Sequence, residues 1–319
     1  MYPDILNELY RRHYEQAMST DVRSSHWKKF GALTRVKKQD GQYALSGRGF
    51  GTFVPRHSLE SVKQFLPNAR SRALLRMFNV DGGIQSAGDR VARRAKRVVS
   101  FDCVKQILAV DLLRRHGVLA EAGTVAVIGD GYGYMTALLG TVLPEARLIC
   151  INLGDILFFD VYYVQRVLPG ERCILNSVTD KGHRIVFLEA EQYQLLSSLP
   201  VDLFVNIASM QEMDLGVVGN YFRVMRSGDG AGYFYCCNRV EKTLPDGSVI
   251  RFDAFPWDRN DKVLVDELCP WYQRRPVLKP PFWRPFGGPI QHRLTKLARQ
   301  RECADSESSD QAAGTVSSP

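Results

Sequence analysis

Beyond Gly123 the chain alternates short apolar runs with amphipathic stretches, and nothing else in the sequence limits its fold as tightly. A strand followed by a helix returns the chain to the same end of a sheet, so this alternation points to β-α-β units around a mostly parallel sheet. The spacing predicts strands at Val125–Ile128, Arg147–Ile151, Ile185–Leu188, Val201–Val205 and Gly232–Cys236. Helices are expected at Tyr134–Val142, Asp155–Val167, Gln192–Ser197 and Val217–Met225. Thr243 to Phe252 reads as two extended segments about Pro245-Asp246-Gly247, a hairpin expected to add antiparallel strands at the end of the sheet.

Upstream, residues 1–30 look helical and amphipathic, and Gly41, Gly47, Gly49 and Gly51 mark an irregular or hairpin segment between Lys37 and Pro55. A helical pattern returns from Leu59 to Phe78. After the turn at Asp81-Gly82-Gly83 a long helix is expected from Asp89 to His116, with Val98, Phe101, Val104, Ile107, Leu108 and Leu112 on one buried face. Pro256 to Pro289 is rich in Pro and aromatic residues and is read as ordered coil able to wrap over a site. Past Arg301 no apolar pattern survives, and the tail is expected to be disordered. The expected organisation is therefore a helical and irregular N-terminal cap over 1–97, an α/β domain over 98–301 and a tail over 302–319.

Of the 319 residues, 45% are hydrophobic and 24% charged, which excludes a wholly disordered or fibrous chain. The net charge of +8 is unevenly placed: residues 1–123 carry 22 basic and 11 acidic side chains, the remainder 20 and 23. A basic N-terminal third can attract phosphate, nucleic acid or an anionic membrane surface, or can serve solubility alone. The seven cysteines form no Cys-x-x-Cys pair, which fits a reduced compartment. Met1-Tyr2-Pro3-Asp4 opens no signal-like pattern, and no run approaches the roughly 20 apolar residues of a membrane helix, so a soluble, cytoplasmic protein is expected.

The sharpest local signal is the buried run Val125 to Ile128 leading directly into Gly129-Asp130-Gly131-Tyr132-Gly133. Glycines at such a turn let the backbone approach a ligand and aim helix N-terminal amides at it. The nicotinamide fingerprint needs its third glycine one position later, where Tyr134 stands, so the Gly-x-Gly-x-Gly spacing favours S-adenosylmethionine over NAD. After the second strand, Asn152 or Asp155 can hold ribose hydroxyls, Asp155 serving equally well as a helix cap. Glu191 or Gln192, after the third strand, can reach the base or simply face water.

The fourth strand delivers Asn206-Ile207-Ala208-Ser209-Met210-Gln211-Glu212-Met213 to the carboxyl edge, where open α/β sheets bind ligands. Asn206 is placed with the cofactor, and Ser209 and Gln211 with the acceptor. No Asn-Pro-Pro-aromatic turn for a planar nitrogen target is present, so a hydroxyl acceptor is favoured, with Glu212 as base or as a capping residue. Asn238, Arg239 and Glu241, just past the fifth strand, are candidate acceptor contacts, Arg239 being suited to an anion or to a structural ion pair. His292 is a second base candidate, or a packed histidine. Glu212 and Asp253 are too scattered to make a metal site, although a divalent ion can acidify a hydroxyl.

Four blocks carry a resemblance: Ile128-Gly129-Asp130-Gly131-Tyr132-Gly133; Ile151-Asn152-Leu153-Gly154-Asp155 with Tyr162-Tyr163; Ser209-Met210-Gln211-Glu212-Met213; and Tyr233 to Lys242. On these, from Val98 to Leu297, the chain resembles the bacterial sugar O-methyltransferase family of class I, S-adenosylmethionine-dependent enzymes. It departs from that family at Asn152, Gly154 and Asp155, where the family has Asp-Leu-Pro-Glu. The resemblance implies a Rossmann-like sheet of seven strands, the last antiparallel, beside a helical N-terminal cap. It also implies methyl transfer to a hydroxyl of a sugar or glycosylated small molecule. The basic N-terminal third next to Arg239 suggests an anionic, phosphate-linked acceptor. The alternatives are an RNA-modifying methyltransferase that uses the basic region, and a cofactor-binding protein without catalysis.

Overall fold

The computed structural model describes residues 3–15, 34–39, 42–47, 63, 65–179, 182–227 and 232–299. The expected disorder of 302–319 lies outside the described residues, as does the helix expected over 16–30. Six strands run parallel: β3 (Thr124–Ile128), β4 (Arg147–Asn152), β5 (Cys173–Leu175), β6 (Ile185–Glu189), β7 (Leu203–Ile207) and β8 (Tyr233–Arg239). Two more, β11 (Lys262–Leu268) and β14 (Ile290–Lys296), complete an eight-stranded sheet in the order β11-β14-β8-β7-β3-β4-β6-β5. Only β14 runs against the rest, antiparallel to both β8 and β11.

The architecture is the expected Rossmann-like sheet, with two corrections. The sheet has eight strands where seven were expected, because the three residues of β5 add an outer parallel strand beyond β6. The hairpin about Pro245-Asp246-Gly247 forms as β9 (Glu241–Thr243) and β10 (Val249–Arg251), yet these strands pair only with each other. The edge of β8 is already occupied from Arg239, opposite Ile290, to Tyr233, opposite Lys296, so β14 leaves the hairpin no place in the sheet. The Pro- and aromatic-rich segment therefore contains sheet strand β11 and a small hairpin of β12 (Arg274–Pro276) with β13 (Trp283–Pro285), not coil alone.

Alternate side chains of each strand point to opposite faces, so one sheet supports two apolar layers. Val125, Val127, Leu148, Cys150, Leu203 and Val205 face one core, while Ala126, Ile128, Ile149, Ile151, Phe204 and Phe234 face the other. The first is covered by α3 (Gly82–Arg94), α4 (Phe101–Arg115), α6 (Tyr134–Val142) and α7 (Gly154–Val167), with the short α5 (Val118–Glu121) leading into β3. The second is closed by α8 (Leu215–Ser227), by the 3-10 helix Ala190–Ser198 and by Leu244, Ile250 and Phe252 around the displaced hairpin.

The single helix expected over Asp89–His116 is two, because the chain turns at Lys96, whose φ is 55°, and α4 restarts with the Ser100 hydroxyl at its N-cap. In the N-terminal region, α1 (Pro3–Tyr10) runs into a π turn over Arg11–Glu15, followed by the hairpin of β1 (Thr34–Gln39) with β2 (Gln42–Gly47) and by α2 (Phe65–Met77). Leu6 and Leu9 are buried, and Tyr10, Tyr14 and Tyr43 pack their rings on Phe158 of α7. Below the sheet, Asp202 Oδ2 accepts from the backbone N–H groups of Gly123 (2.9 Å) and Thr124 (2.7 Å), tying the entry of β7 to that of β3. Among the described residues no helix is long and apolar enough to cross a membrane.

Candidate functional site

The chain passes from β3 to β4 on one side and returns to β7 on the other, so the loops after β3 and β7 diverge and leave a crevice at the carboxyl edge. A cavity of about 480 Å³ occupies it, within the range of small-molecule sites. Gly129, Asp130, Gly131, Asn152, Glu191, Ser209, Gln211, Glu212 and Arg239, all expected at the site, are on its wall.

The glycine turn has three left-handed residues, Gly129, Gly131 and Gly133, with φ of 72°, 88° and 66°. At Gly129 a Cβ would fall 2.2 Å from Ser209 Oγ, so the turn after β3 and the loop after β7 touch only because no side chain is there. Gly133 stands at the N-cap of α6, against the Asp160 carbonyl and away from the cavity wall. Asp130 supplies the missing cap: its carboxylate accepts from Met135 N (2.9 Å) and Thr136 N (2.7 Å). Asn152 donates to the fully buried Asp160 (2.8 Å) and accepts from Leu153 N (2.9 Å). Burial, with Asp130 nearby, pushes the Asp160 pKa well above the usual carboxylate range.

Asp155 does not reach the cavity wall. It lies in the first turn of α7, where its carbonyl accepts from Tyr14 of the N-terminal segment (2.7 Å), and the N-cap position belongs to Leu153. The neighbouring Glu189 is taken up in the same way, accepting from Arg12 (2.7 Å) and meeting His13 (2.6 Å).

On the other side of the crevice the loop after β7 is stiffened by amides. Asn206, fully buried, donates to Ile128 O (2.8 Å) and accepts from Asn238 (2.8 Å). Asn238, also fully buried, accepts from Gln211 N (3.1 Å), and Gln211 Oε1 accepts from Arg239 N (2.7 Å). Asn206 and Asn238 are therefore struts between strands and not ligand contacts. Next to them Ala208 adopts φ 62°, a left-handed conformation that a non-glycine residue holds at a cost, and Ser209 follows it onto the wall.

Glu212 is 8% exposed and paired with Lys242 Nζ at 2.5 Å. Burial raises the Glu212 pKa against the pull of Lys242, and burial lowers that of Lys242 against the pull of Glu212. Both shifts favour the neutral forms, which makes the Glu212 carboxylate a stronger proton acceptor than a solvated one.

Two expected residues stand elsewhere. Glu241 is exposed on β9 and pairs with Arg251 (2.8 Å). His292 is wholly buried in β14, between the Tyr235 hydroxyl (3.2 Å) and the Trp271 ring, so it is a packed histidine and not a base in this cavity. Burial lowers its pKa, with Glu267 opposing.

Sequence reasoning missed the α4 wall: Asp102, Lys105 and Gln106, with Tyr272 beside them. Lys105 is 5% exposed, pairs with Asp102 and lies 3.6 Å above the Tyr272 ring. Burial opposes its charge, but Asp102 and Tyr272 overcome this and raise its pKa. The signal was present as two polar residues between Val104 and Ile107 in a helix that proves to be buried nearly all round. Among the described residues, Lys105 and Arg239 are the basic groups on the wall, against Asp102, Asp130, Glu191, Glu212 and Asp214. An acidic majority is the reverse of what the charge of the N-terminal third suggested for an anionic acceptor. No group of three metal-ligating side chains occurs among the described residues.

No protein-family model matches the chain, and no curated protein matches it. Solved structures do. Protein 1320 of Thermoplasma acidophilum is 10% identical over 68% of this chain and 98% of its own, with a TM-score of 0.41. The O-methyltransferase TomG from Streptomyces achromogenes, solved with S-adenosylmethionine, is 12% identical over 74% and 99%, at 0.38. An O-methyltransferase family protein from Burkholderia thailandensis is 13% identical over 86% and 82%, at 0.37. Likeness at this level concerns the course of the chain and carries nothing about activity or substrate.

Proposed function

We propose that the chain is an S-adenosylmethionine-dependent O-methyltransferase that acts on a hydroxyl of a sugar or glycosylated small molecule, with Glu212 as the base. The observation that supports this best is one cavity running from the glycine turn after β3 to the buried carboxylate of Glu212. When bound, S-adenosylmethionine supplies an electrophilic methyl group on a sulfonium centre. The residues present fit it. Gly129 and Gly131 leave the turn free of side chains, Asn152 stands at the end of β4 within the wall, and Leu153, Ala190 and Tyr193 give an apolar face beside Glu191. The acidic majority of the wall complements a positive ligand.

The loop after β7 does the remaining work. The Asn206–Asn238–Gln211 struts hold Glu212 in place, so the acceptor hydroxyl is positioned before reaction. As its oxygen gains the methyl group, its proton passes to the Glu212 carboxylate, which burial has made more basic while Lys242 keeps it available in ionised form.

Isothermal titration with S-adenosylhomocysteine tests the reading. Saturable binding in the micromolar range is expected, and no heat at high micromolar ligand would overturn it. Transfer of labelled methyl to neutral glycosides, sugar nucleotides or RNA then separates the acceptor classes, and label in RNA alone would replace the sugar reading.

A further inference from the structure

Arg12, His13 and Tyr14 hold together two loops that end the cavity, although no described residue of the N-terminal segment is on its wall. Strands β4 and β6 are neighbours, and Asn152 at the end of one stands opposite Glu189 at the end of the other. Beyond that rung they part, one loop carrying Leu153 and the other Ala190 and Glu191 onto the wall. The segment reaches both. Arg12 Nη1 donates to Glu189 Oε2 (2.7 Å), His13 Nε2 meets Glu189 Oε1 (2.6 Å), and the Tyr14 hydroxyl donates to the Asp155 carbonyl (2.7 Å). Asn176 also donates to the Glu189 carboxylate.

The contact is built into both partners. Gly154, between Leu153 and Asp155, is not one of the left-handed glycines, so its backbone would accept a side chain. A Cβ there would fall 2.2 Å from His13 Nε2 and 2.7 Å from Glu189 Oε1, so its absence is what lets the imidazole seat between the loops. From behind, Leu6 and Leu9 are buried, and Tyr10 and Tyr14 pack on Phe158 of α7, the helix that Gly154 begins. The Glu189 side chain is 10% exposed, so removing a partner leaves a buried carboxylate less well satisfied. A ligand that rests on both loops binds best when their spacing is set beforehand.

We infer that Arg12, His13 and Tyr14 are positioning residues for the ligand at this end of the cavity: they fix the spacing of the loops after β4 and β6, so that binding there and ordering of α1 and the π turn are coupled. That the ligand is S-adenosylmethionine rests on the methyltransferase reading; the tie between segment and loops does not. By linkage, what the segment lends to ligand affinity the ligand returns as stability of the segment.

Amide hydrogen exchange on the full chain, read by mass spectrometry, tests both halves. In the free protein, Gly154→Ala, and Arg12→Ala combined with Tyr14→Phe, should each speed exchange about tenfold in α1 and in the 3-10 helix Ala190–Ser198. Exchange in β14, at the far side of the sheet, should not change, whereas a general loss of stability would speed it too. In the wild type, S-adenosylhomocysteine should slow exchange in α1 about fivefold without touching it, which a segment of merely structural use would not show. Calorimetric affinity for S-adenosylhomocysteine should fall about tenfold in each variant. Gly154→Ala and His13→Ala should not add, since both release the same contact. Wild-type affinity in the variants, or α1 exchange indifferent to bound S-adenosylhomocysteine, would each overturn the inference and leave the methyltransferase reading standing. Wild-type exchange rates in both loops of the free variants would overturn it whether or not the ligand binds. Loosened loops in the variants of a protein that ignores S-adenosylhomocysteine would uphold the positioning role and refute the methyltransferase reading.

Discussion

The two flanks of the cavity are built in different ways. On the flank of β3 and β4 the polar side chains on the cavity wall are engaged by the protein itself: Asp130 caps α6, and Asn152 bridges Asp160 and Leu153. What remains for a ligand there is backbone and shape. On the flank of β7 and β8 the amides of Asn206, Asn238 and Gln211 also satisfy one another, but Glu212 stands buried on the wall against Lys242, its pKa raised by burial. A flank of preset backbone suits one invariant ligand, whereas a flank that holds a shifted carboxylate on rigid struts suits proton transfer.

That contrast breaks most severely at Gly129. Gly129→Ala would place a Cβ 2.2 Å from Ser209 Oγ, at a φ of 72° that adds roughly 1–2 kcal/mol of strain. Ser209 has little room to yield, since its hydroxyl is bonded to Ile128 O at 3.0 Å. S-adenosylhomocysteine affinity measured by calorimetry should fall by about 100-fold or more, while Glu212 keeps its bond to Lys242.

The complementary change is Glu212→Gln, which should cut kcat by about 100-fold and leave cofactor KM within about threefold, as loss of a base does. Because burial raises the Glu212 pKa, the wild-type kcat should climb with pH through an apparent pKa above the ordinary 4.5, the carboxylate being the active form. That acid limb should vanish in the variant. Unchanged kcat and an unchanged limb would remove Glu212 from the reaction.

The smallest expected effect on turnover is that of His292→Asn, within about twofold, because His292 belongs to neither flank. Its consequence is in stability. Burial depresses the folded-state pKa, so the unfolded chain binds the proton more readily and stability falls as pH drops below about 6.5 toward the folded value. Urea unfolding at pH 7.5 and 5.5 should show a smaller difference between the two pH values in the variant than in the wild type.

Elements whose burial is decided locally were legible in the sequence. Helix α6 has the bounds expected for it, Tyr134–Val142, because Gly133 and Asp130 start it and Pro144 keeps the residue before it, Leu143, out of the helix. Features set by distant partners were not. Strand β11 owes its place to β14, more than twenty residues away, and its Pro- and aromatic-rich surroundings obscure the alternation of Lys262 to Leu268. His292 shows the same limit: its type suggests catalysis, but the inward register opposite Cys237 that buries it is fixed by pairing. In α4 the expected apolar face accounts for only part of the burial, since Lys105 and Gln106 also turn inward, Lys105 onto the Tyr272 ring.

The Asp202 carboxylate, at the amino ends of the strands, acts as a common baseline for the reaction edge. β3 and β7 each have five residues, pair as Val125 with Leu203 and Val127 with Val205, and start from N–H groups and a carbonyl tied to the same side chain or its neighbours. In that register Ile207 is level with Gly129, and the left-handed turn at Ala208 brings Ser209 back against Gly129 to close the floor between the two flanks.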